Sequence, residues 1–427
     1  MIWQGATAIA DFAQVVLIVR VLGIQEYGRF AIIVALVTLV GGFFSLRVGY
    51  AATSFGADAL TSNPSIAAGI FQLTFLIDLF TSLAGFALIA GIAPLVGPSV
   101  TGGAEDGLLV LAALGLIASS PATTFMAVLR LLDRFKLIAI CWAAIETLRL
   151  VLVLVSLLLF RNLVGVLVAL LFGKLANGLM SAWMATRVFH RTAPGVRLWR
   201  LAIRRIPRDT KRQMLKMIMH TNFVGYGRLG QVQLPTLLLG SLVGATETGI
   251  YKLGLAAASL VGRVADPASA ALLTRFSRLW ANHDLVNIRR LIRQTSMLAI
   301  PTVTFALGVL VALREPVLRF MGAKGEIGTA ATVLVIAGVA QGLYGAFFWN
   351  KTLLFAARHA SAISIAVCAA AAVQTIIVLV TARSEGAVGA AIALLVSEAI
   401  VYIGLTWIAL RVLRQEEERV YAVGEGL

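Results

Sequence analysis

Ionisable side chains embedded in long apolar runs are the residues of this sequence that could do chemistry. Twelve of them interrupt stretches that would otherwise suit a lipid bilayer: Asp11, Arg20, Arg47, Asp78, Glu146, Arg149, Lys174, Arg228, Lys252, Arg263, Asp266 and Glu398. Each charge costs roughly 2.5–3.5 kcal/mol at the bilayer centre on insertion scales, so such residues usually face a protein interior or a water-filled cavity. They therefore mark a candidate site or path for a polar ligand.

Basic residues outnumber acids in this set, which favours an anionic ligand. Arginine can donate two parallel hydrogen bonds to phosphate oxygens, and lysine supplies a compact positive charge. Six cations are the candidate ligands of an anionic headgroup: Arg20, Arg149, Lys174, Arg228, Lys252 and Arg263. Lys174, Arg228 and Lys252 have no acid within one helical turn in the sequence. A structural ion pair with a neighbour on the same helix therefore does not explain these three.

Local partners give some of the other cations a second interpretation. Glu146 and Arg149 are three residues apart, as are Arg263 and Asp266, and residues at this spacing share a helix face. Each pair could be a structural ion pair. Arg20 lies near the end of an apolar run, so its long side chain could instead extend to the membrane surface.

The isolated acids are candidates for ion coupling. Asp78 and Glu398 each stand alone in a long apolar run, which is typical of a proton relay or an ion site. Asp266 is the third candidate. Each acid could equally hydrogen-bond a partner on another helix. Coupling to H⁺ or Na⁺ is the only small-ligand requirement that the sequence suggests.

The motifs of common enzymes are absent or out of place. Gly225–Gly230 (GYGRLG) matches the glycine pattern of dinucleotide sites, but such a site needs a preceding strand. Here the glycines lie in an apolar run, where they permit close helix packing. The four histidines form no metal-ligand pattern, and there is no Walker loop, hydrolase triad or paired-cysteine motif. The sequence therefore predicts a protein that is not an enzyme and has no metal site or cofactor.

Membrane helices must position the charged residues. The chain of 427 residues is 59% hydrophobic and 13% charged, against about 25% charged residues in a soluble domain. Its apolar runs are roughly 20 residues long, enough to cross about 30 Å of hydrocarbon. We predict an all-α polytopic membrane protein with about twelve transmembrane helices in two six-helix lobes around a central cavity. The predicted spans of the first lobe are Gly5–Leu22, Phe30–Ala51, Ile66–Val96, Leu108–Leu131, Leu137–Phe160 and Leu163–Phe189. Those of the second lobe are Met217–Val243, Thr248–Leu273, Thr295–Leu313, Ile327–Trp349, Ala360–Thr381 and Ala387–Leu410.

A strongly basic segment separates the two sets of spans. Residues 190–216 contain nine Lys or Arg residues and one acid, Asp209. Short loops rich in Lys and Arg stay in the cytoplasm, so we predict an N-lobe (1–189), a cytoplasmic tether (190–216), a C-lobe (217–410) and a cytoplasmic tail (411–427). With both termini in the cytoplasm, the cytoplasmic loops hold 22 of the 36 Lys and Arg residues and the outside loops hold 6. Nucleic-acid binding by the basic segment is not needed to explain its charge.

A second basic segment has an apolar face. Thr274–Arg293 sets Phe276, Leu279 and Trp280 among arginines at helical spacing. This pattern predicts an amphipathic helix that lies on the cytoplasmic membrane surface.

Three segments carry a family resemblance: Arg20–Ala35 (RVLGIQEYGRFAIIVA), Leu237–Gly254 (LLLGSLVGATETGIYKLG) and Ala382–Ala393 (ARSEGAVGAAIA). They resemble the Wzx-type polysaccharide flippases, members of the multidrug/oligosaccharidyl-lipid/polysaccharide exporter superfamily. The similarity extends over nearly the whole chain in span order and loop length. The chain departs from the family pattern in reading QVQLPT before the leucine-glycine run and in having Thr274 where a proline is frequent.

The first segment suggests its local structure directly. Gly23 is expected to end one helix, Glu26 and Tyr27 to form a turn outside the membrane, and Gly28 to open the next helix.

The resemblance implies a substrate and a location. The substrate would be an undecaprenyl-pyrophosphate-linked oligosaccharide, flipped from the cytoplasmic to the periplasmic leaflet by alternating access for O-antigen, capsule or exopolysaccharide synthesis. The location would be the bacterial cytoplasmic (inner) membrane, among membrane lipids, with polysaccharide polymerases or ligases as candidate partners and no nucleic acid. A lipid II flippase is the nearest alternative, although that family usually has additional C-terminal spans. A multidrug/cation antiporter of the same superfamily is the second alternative, and the excess of intramembrane cations disfavours it.

Overall fold

The computed structural model describes residues 2–46, 48–101, 106–196, 202–263, 266–323 and 325–424. Within these ranges every regular element is a helix: fifteen α-helices and one short 3₁₀ helix. The predicted all-α class is confirmed for this part of the chain. The helices are grouped in two compact units.

The first unit comprises Ile2–Leu22 and Arg29–Leu229. Its elements are α1 (Ile2–Leu22), α2 (Ile24–Phe44), α3 (Val48–Ser62), α4 (Pro64–Thr101), α5 (Asp106–Leu131), α6 (Phe135–Leu159), α7 (Leu163–Thr192), the 3₁₀ helix (Ile203–Arg205) and most of α8 (Arg208–Leu242). The main core is built from α3, α4, α5 and α7. At its centre the buried rings of Phe71 and Phe189 meet edge to face, with their centroids 6.0 Å apart.

The second unit comprises Gly23–Gly28 and Gly230–Leu427. Its elements are the end of α8, α9 (Ala245–Arg263), α10 (Asp266–Ala281), α11 (Leu285–Ala312), α12 (Arg314–Met321), α13 (Ile327–Phe347), α14 (Trp349–Ala356) and α15 (Ala360–Gly424). A core of α10, α11, α13, α14 and α15 surrounds Leu353 and Tyr402, which are both fully buried.

Eight helices of the described chain are long and apolar enough to cross a membrane: α2, α4, α5, α6, α7, α11, α13 and α15. The chain is therefore a multi-pass membrane protein. Helix α15 contains two predicted spans, and two of the remaining three correspond to α1 and α8. The last, Thr248–Leu273, is divided between α9 and the first half of α10. Helix α8 begins inside the basic tether, so its first turns are polar. The glycines of Gly225–Gly230 lie within α8, in a helix as predicted. Three short helices, α3, α12 and α14, lie where the sequence analysis placed connecting segments.

The second half of the predicted tether is packed against the first unit. Ala202 and Ile206 are buried, and the backbone N–H of Ala202 donates a hydrogen bond to Oε1 of Gln72 on α4 at 2.8 Å. Met214, on the first turns of α8, is also fully buried. Residues 197–201 lie outside the described ranges. Apolar residues at every third or fourth position allow this basic segment to fold onto the helices beside it.

The prediction of a membrane-surface helix at Thr274–Arg293 is wrong. The segment forms the end of α10, a short turn and the start of α11. Phe276 is fully buried in the core of the second unit, and the half-buried Trp280 packs against the same core. The apolar face therefore packs against α14 and α15 of the protein and does not lie on the membrane surface.

The turn between α1 and α2 packs against the start of α9 within the second unit. Gly23 ends α1 in the left-handed region (φ +89°), as expected. Helix α2 already begins at Ile24, so Glu26 and Tyr27 lie in its first turn and do not form the predicted loop. A methyl group at Gly28 would overlap the carbonyl oxygen of Ala245. Only a glycine leaves room for such close contact between the two backbones.

The break between the last two predicted spans also contacts the start of α9. Gly386 interrupts α15 in the left-handed region (φ +53°). The backbone N–H of Ala387, just after the break, donates a hydrogen bond to Oε2 of Glu247 at 2.7 Å. The Glu247 carboxylate thus satisfies one of the backbone donors left unpaired where a helix restarts.

Candidate functional site

A cluster of charged residues joins α1 to α6 within the first unit. Nη2 of Arg149 lies 2.7 Å from Oδ1 of Asp11 and 2.6 Å from Oε2 of Glu146. The Arg149 side chain is 25% exposed, against 17% for Glu146 and 42% for Asp11. The predicted pairing of Glu146 with Arg149 is confirmed. Asp11 on α1 is a third charged residue of the cluster, and its contact with Arg149 could not be predicted from its position in the sequence.

Lys174 on α7 extends the cluster. Gly173, its neighbour in sequence, lies against the Arg149 side chain, since a methyl group there would be in van der Waals contact with Cγ of Arg149 at 3.4 Å. The Lys174 ammonium group passes 2.9 Å from the position that a methyl group on Gly115 of α5 would occupy. A cavity of about 40 Å³, lined by α2, α5 and α7 and including Thr38, lies beside this lysine. This space is large enough for a water molecule.

The cluster carries two positive and two negative charges. Arg149 and Lys174 lie close enough to act electrostatically on each other. Two carboxylates on one side of Arg149 offset this repulsion. An incoming anion would therefore have to compete with Asp11 and Glu146 for the arginine, because a guanidinium has a limited number of donors.

The two other candidate cations of the first unit, Arg20 and Arg228, are exposed. Arg20 is in the last turn of α1 and is exposed. Arg228 is exposed on α8, at the level where Tyr226 packs against Phe43 of α2 with ring centroids 5.0 Å apart. Arg47, on the short connection between α2 and α3, lies outside the described residues.

Two candidate cations lie on α9 of the second unit. Lys252 and Arg263 are both partly buried. Their spacing of eleven residues corresponds to about three helical turns, so both side chains leave the helix on one face about 16 Å apart. Tyr251, next to Lys252, is buried and lies within electrostatic range of Glu398 on α15.

The candidate ion-coupling acids have different surroundings. Asp78 on α4 is 3% exposed, hydrogen-bonds the Thr123 side chain, and has no hydrogen-bond partner for Oδ2 among the described residues. Glu398 is also 3% exposed. The adjacent Ser397 hydroxyl accepts a hydrogen bond of 2.7 Å from Nε2 of Gln231. The Asp266 side chain lies outside the described part of the chain, so its pairing with Arg263 stays a prediction.

One partly buried cation lies outside the predicted spans. Lys351 falls between the predicted spans Ile327–Trp349 and Ala360–Thr381, and the structure places it on α14. Its Nζ donates a hydrogen bond of 2.7 Å to the hydroxyl of Tyr402 and lies 4.4 Å from the centre of that ring. The neighbouring Asn350 is fully buried and donates to the Tyr402 carbonyl oxygen at 3.1 Å. Their burial follows from the short helix α14. No group of three or more His, Cys, Asp or Glu residues suited to a metal ion occurs among the described residues.

The fold is similar to that of known membrane transporters. A multidrug resistance MATE family transporter of the MOP superfamily, in an inward-facing conformation, matches 96% of this chain and 96% of its own with a TM-score of 0.77 and 12% identity. The lipid II flippase MurJ, in an inward closed conformation, matches 100% of this chain and 92% of its own with a TM-score of 0.71 and 13% identity. A MOP superfamily transporter from Pyrococcus furiosus, with a binding pocket of reversed polarity, matches 99% of this chain and 94% of its own with a TM-score of 0.65 and 12% identity.

These likenesses confirm the predicted two-lobed transporter fold. A search of curated sequences gave no significant match. A family model described as "Polysaccharide biosynthesis protein" matches residues 1–280, about two thirds of the chain. The family and the fold agree with the prediction of a flippase-type transporter and not an enzyme. The chain belongs to the polysaccharide biosynthesis protein family.

Proposed function

We propose that this protein flips an undecaprenyl-pyrophosphate-linked oligosaccharide from the cytoplasmic to the periplasmic leaflet of the bacterial inner membrane by alternating access. The proposal is carried by a chain of the polysaccharide biosynthesis family in which two candidate membrane spans, α6 and α7, hold Arg149 and Lys174 within electrostatic range of each other. Such a pair suits a pyrophosphate, because each phosphate oxygen can accept hydrogen bonds from cationic donors. The prenyl chain would stay in lipid while the sugars occupy a wet cavity.

Substrate binding would exchange one set of partners for another. Arg149 donates a hydrogen bond to Asp11 and forms an ion pair with Glu146 in the present structure. A pyrophosphate reaching this arginine would displace at least one carboxylate, which would then favour a proton because it has lost its cation. Binding of the anion and uptake of a proton would therefore be linked. This exchange gives H⁺ coupling a physical basis at the cluster itself.

The remaining candidates would act at other stages. Arg20, Arg228, Lys252 and Arg263 would attract or hold the pyrophosphate as the site opens to each side. Asp78, Asp266 and Glu398 would be the candidate sites for a coupled H⁺ or Na⁺. Of these, Asp78 has the strongest structural support, because a buried carboxyl oxygen without a donor is a favourable position for a proton.

The test is a reconstituted transport assay. The purified full-length protein is placed in vesicles with a short polyprenyl-pyrophosphate disaccharide that carries a fluorophore on the sugar, and a membrane-impermeant quencher then reports the fraction in the outer leaflet. The proposal expects fast equilibration between leaflets with this protein and much slower equilibration with Arg149→Gln. Arg187→Gln is the matched control, because Arg187 is on α7 beside Trp183 and outside the cluster. Slow equilibration with the unmodified protein would refute the proposal.

The alternatives predict different substrates in the same vesicles. A lipid II flippase would equilibrate lipid II faster than the disaccharide lipid, and the fold of MurJ is the observation in its favour. A multidrug antiporter would move an organic cation and neither lipid. The excess of Lys and Arg over acids among the charged residues of the predicted spans disfavours the latter, since like charges repel.

Membrane orientation and partners complete the proposal. Both termini would lie in the cytoplasm because Lys and Arg are concentrated in the loops on that side. An alkaline phosphatase fusion after Arg414 should be inactive, and a fusion at Arg161 should be active. Polysaccharide polymerases or ligases would receive the flipped lipid in the outer leaflet.

A further inference from the structure

A long groove in the second unit lies between α10, α11 and the end of α13. Its volume is about 470 Å³. Arg275, Gln294 and Thr295 line one end, and Thr302, Val303 and Phe348 line the other. The groove is separate from every candidate cation of the proposed pyrophosphate site.

The dimensions of the groove match one hydrocarbon chain in one leaflet. Its lining residues on α11 run from Leu291 to Val303, a distance of about 18 Å at 1.5 Å per residue. Half of the hydrocarbon core of a bilayer is about 15 Å thick. A cavity of about 150 Å³ binds one benzene ring, so the groove has room for on the order of 18 carbon atoms. That volume accommodates a single chain and not the two chains of a phospholipid.

The charged lining residue lies at one end of the groove, and the Thr302 hydroxyl at the other end donates its hydrogen bond to the Leu298 carbonyl oxygen at 2.7 Å. The charged residue, Arg275, is exposed close to the α10–α11 turn. Among the described residues no acid pairs with Arg275, whereas Arg289 near the same turn is paired with Glu417 at 2.6 Å. Phe276, the residue after Arg275 on α10, does not line the groove and is fully buried in the core of the second unit. Helix α10 thus buries one face and presents its cation to the groove.

Lipid can reach the groove from α11. Leu298, which lines it, is 73% exposed, and Phe305 farther along the same helix is 74% exposed. Large exposed apolar side chains on a membrane helix mark a surface that meets lipid. In the proposed orientation the Arg275 end lies at the cytoplasmic headgroup level, where an anionic lipid would enter.

We propose that this α10–α11 groove binds the first isoprene units of the polyprenyl chain of the carrier lipid, with its phosphate at Arg275. The inference rests on the proposed function, because it names the part of the substrate that stays in lipid. A single unbranched path, one cation at headgroup level and an apolar far end fit a single-chain anionic lipid. The groove would hold the carrier in the cytoplasmic leaflet while its headgroup enters the transport site.

The test is photolabelling with two probes in vesicles. One probe is a polyprenyl monophosphate with a diazirine near its phosphate, and the other is phosphatidylglycerol with the same diazirine on one acyl chain. Labelled peptides are mapped by mass spectrometry. The polyprenyl probe should label the peptides of α10 and α11. Labelling should fall about tenfold in Arg275→Gln, the effect of losing one charge-assisted hydrogen bond, and by a similar factor in Ala271→Phe, which fills the groove.

Two matched variants test the position of the site. Arg278→Gln removes a cation from the same helix outside the groove, and Ala372→Phe adds the same bulk at an exposed position on α15. Both should retain full labelling. The proposal is overturned if the two probes label the groove equally, if the polyprenyl probe labels other helices, or if the control variants lose labelling to the same degree.

The outcome is separable from that of the proposed function. Vesicles that flip the oligosaccharide lipid but show no labelling of the groove would refute the groove alone. Vesicles that neither flip the lipid nor retain the polyprenyl probe anywhere would refute the proposed function as well.

Discussion

Replacement of Arg149 should affect stability and transport by separable amounts. In Arg149→Gln, Asp11 and Glu146 lose a shared cation that lies within 2.7 Å of both carboxylates. A hydrogen bond to a charged partner contributes about 1.5–3 kcal/mol, and an exposed ion pair contributes about 0.2–1 kcal/mol. Glu146 belongs nearer the first range and Asp11, which is 42% exposed, nearer the second. The expected loss is therefore about 2–4 kcal/mol of unfolding free energy.

A charge-neutral triple variant separates the two roles of this arginine. Asp11→Asn, Glu146→Gln and Arg149→Gln together remove both the cation and the carboxylates that depend on it. Stability should return to within about 1 kcal/mol of the unmodified protein, because a buried ion pair and a neutral replacement are often similar in energy. Transport should remain lost, since no guanidinium is left for the pyrophosphate.

Chemical unfolding in detergent micelles and the vesicle assay measure the two quantities on the same preparations. If the triple variant regains both stability and transport, Arg149 only holds α1 and α6 together and is not a substrate ligand. If Arg149→Gln loses neither, the short contacts to Asp11 and Glu146 do not contribute to the structure in the way that their geometry indicates.

Three further predictions concern packing and pH. Gly28→Ala should destabilise the protein by about 1–3 kcal/mol because the methyl group would overlap backbone atoms of α9. Gly91→Ala, in open space on α4, should be neutral or stabilising by up to about 1 kcal/mol. Chemical unfolding of both variants measures this difference in sign. Glu247→Ala should cost about 0.5–2 kcal/mol by uncapping the second part of α15, with faster hydrogen exchange confined to the residues after the break. Hydrogen bonds from the Asn287 side chain and backbone hold the pKa of Asp284 below its usual range, so its contribution should be complete above about pH 4 and lost as the pH falls through the lower folded value. Asp284→Asn should abolish that dependence in hydrogen exchange of the first turn of α11.

Local spacing was sufficient for much of the fold. Apolar runs of bilayer length predicted the membrane helices, and glycine predicted the end of α1 at Gly23. The three-residue spacing of Glu146 and Arg149 predicted their ion pair. These features depend on residues within one or two helical turns, whose relative positions follow from helix geometry alone.

Contacts between distant parts of the chain could not be predicted in this way. Asp11 and Arg149 are 138 positions apart, and their contact depends on how α1 packs against α6. Lys351 was placed in a loop because a basic residue near a span end usually lies in water, and only the short helix α14 brings it to Tyr402. The spacing of apolar residues among arginines at Thr274–Arg293 predicts an amphipathic helix, but it does not indicate whether lipid or protein covers the apolar face.

The three segments that resemble the flippases meet at the start of α9. The α1–α2 turn reaches it through Gly28, and the restart of α15 reaches it through Glu247, across 140 positions of sequence. Natural selection would then act on one set of packing contacts and not on three independent sequence motifs. Among relatives, an acid at the position of Glu247 should be inherited together with glycine at the position of Gly386, and a lineage that loses one should soon lose the other.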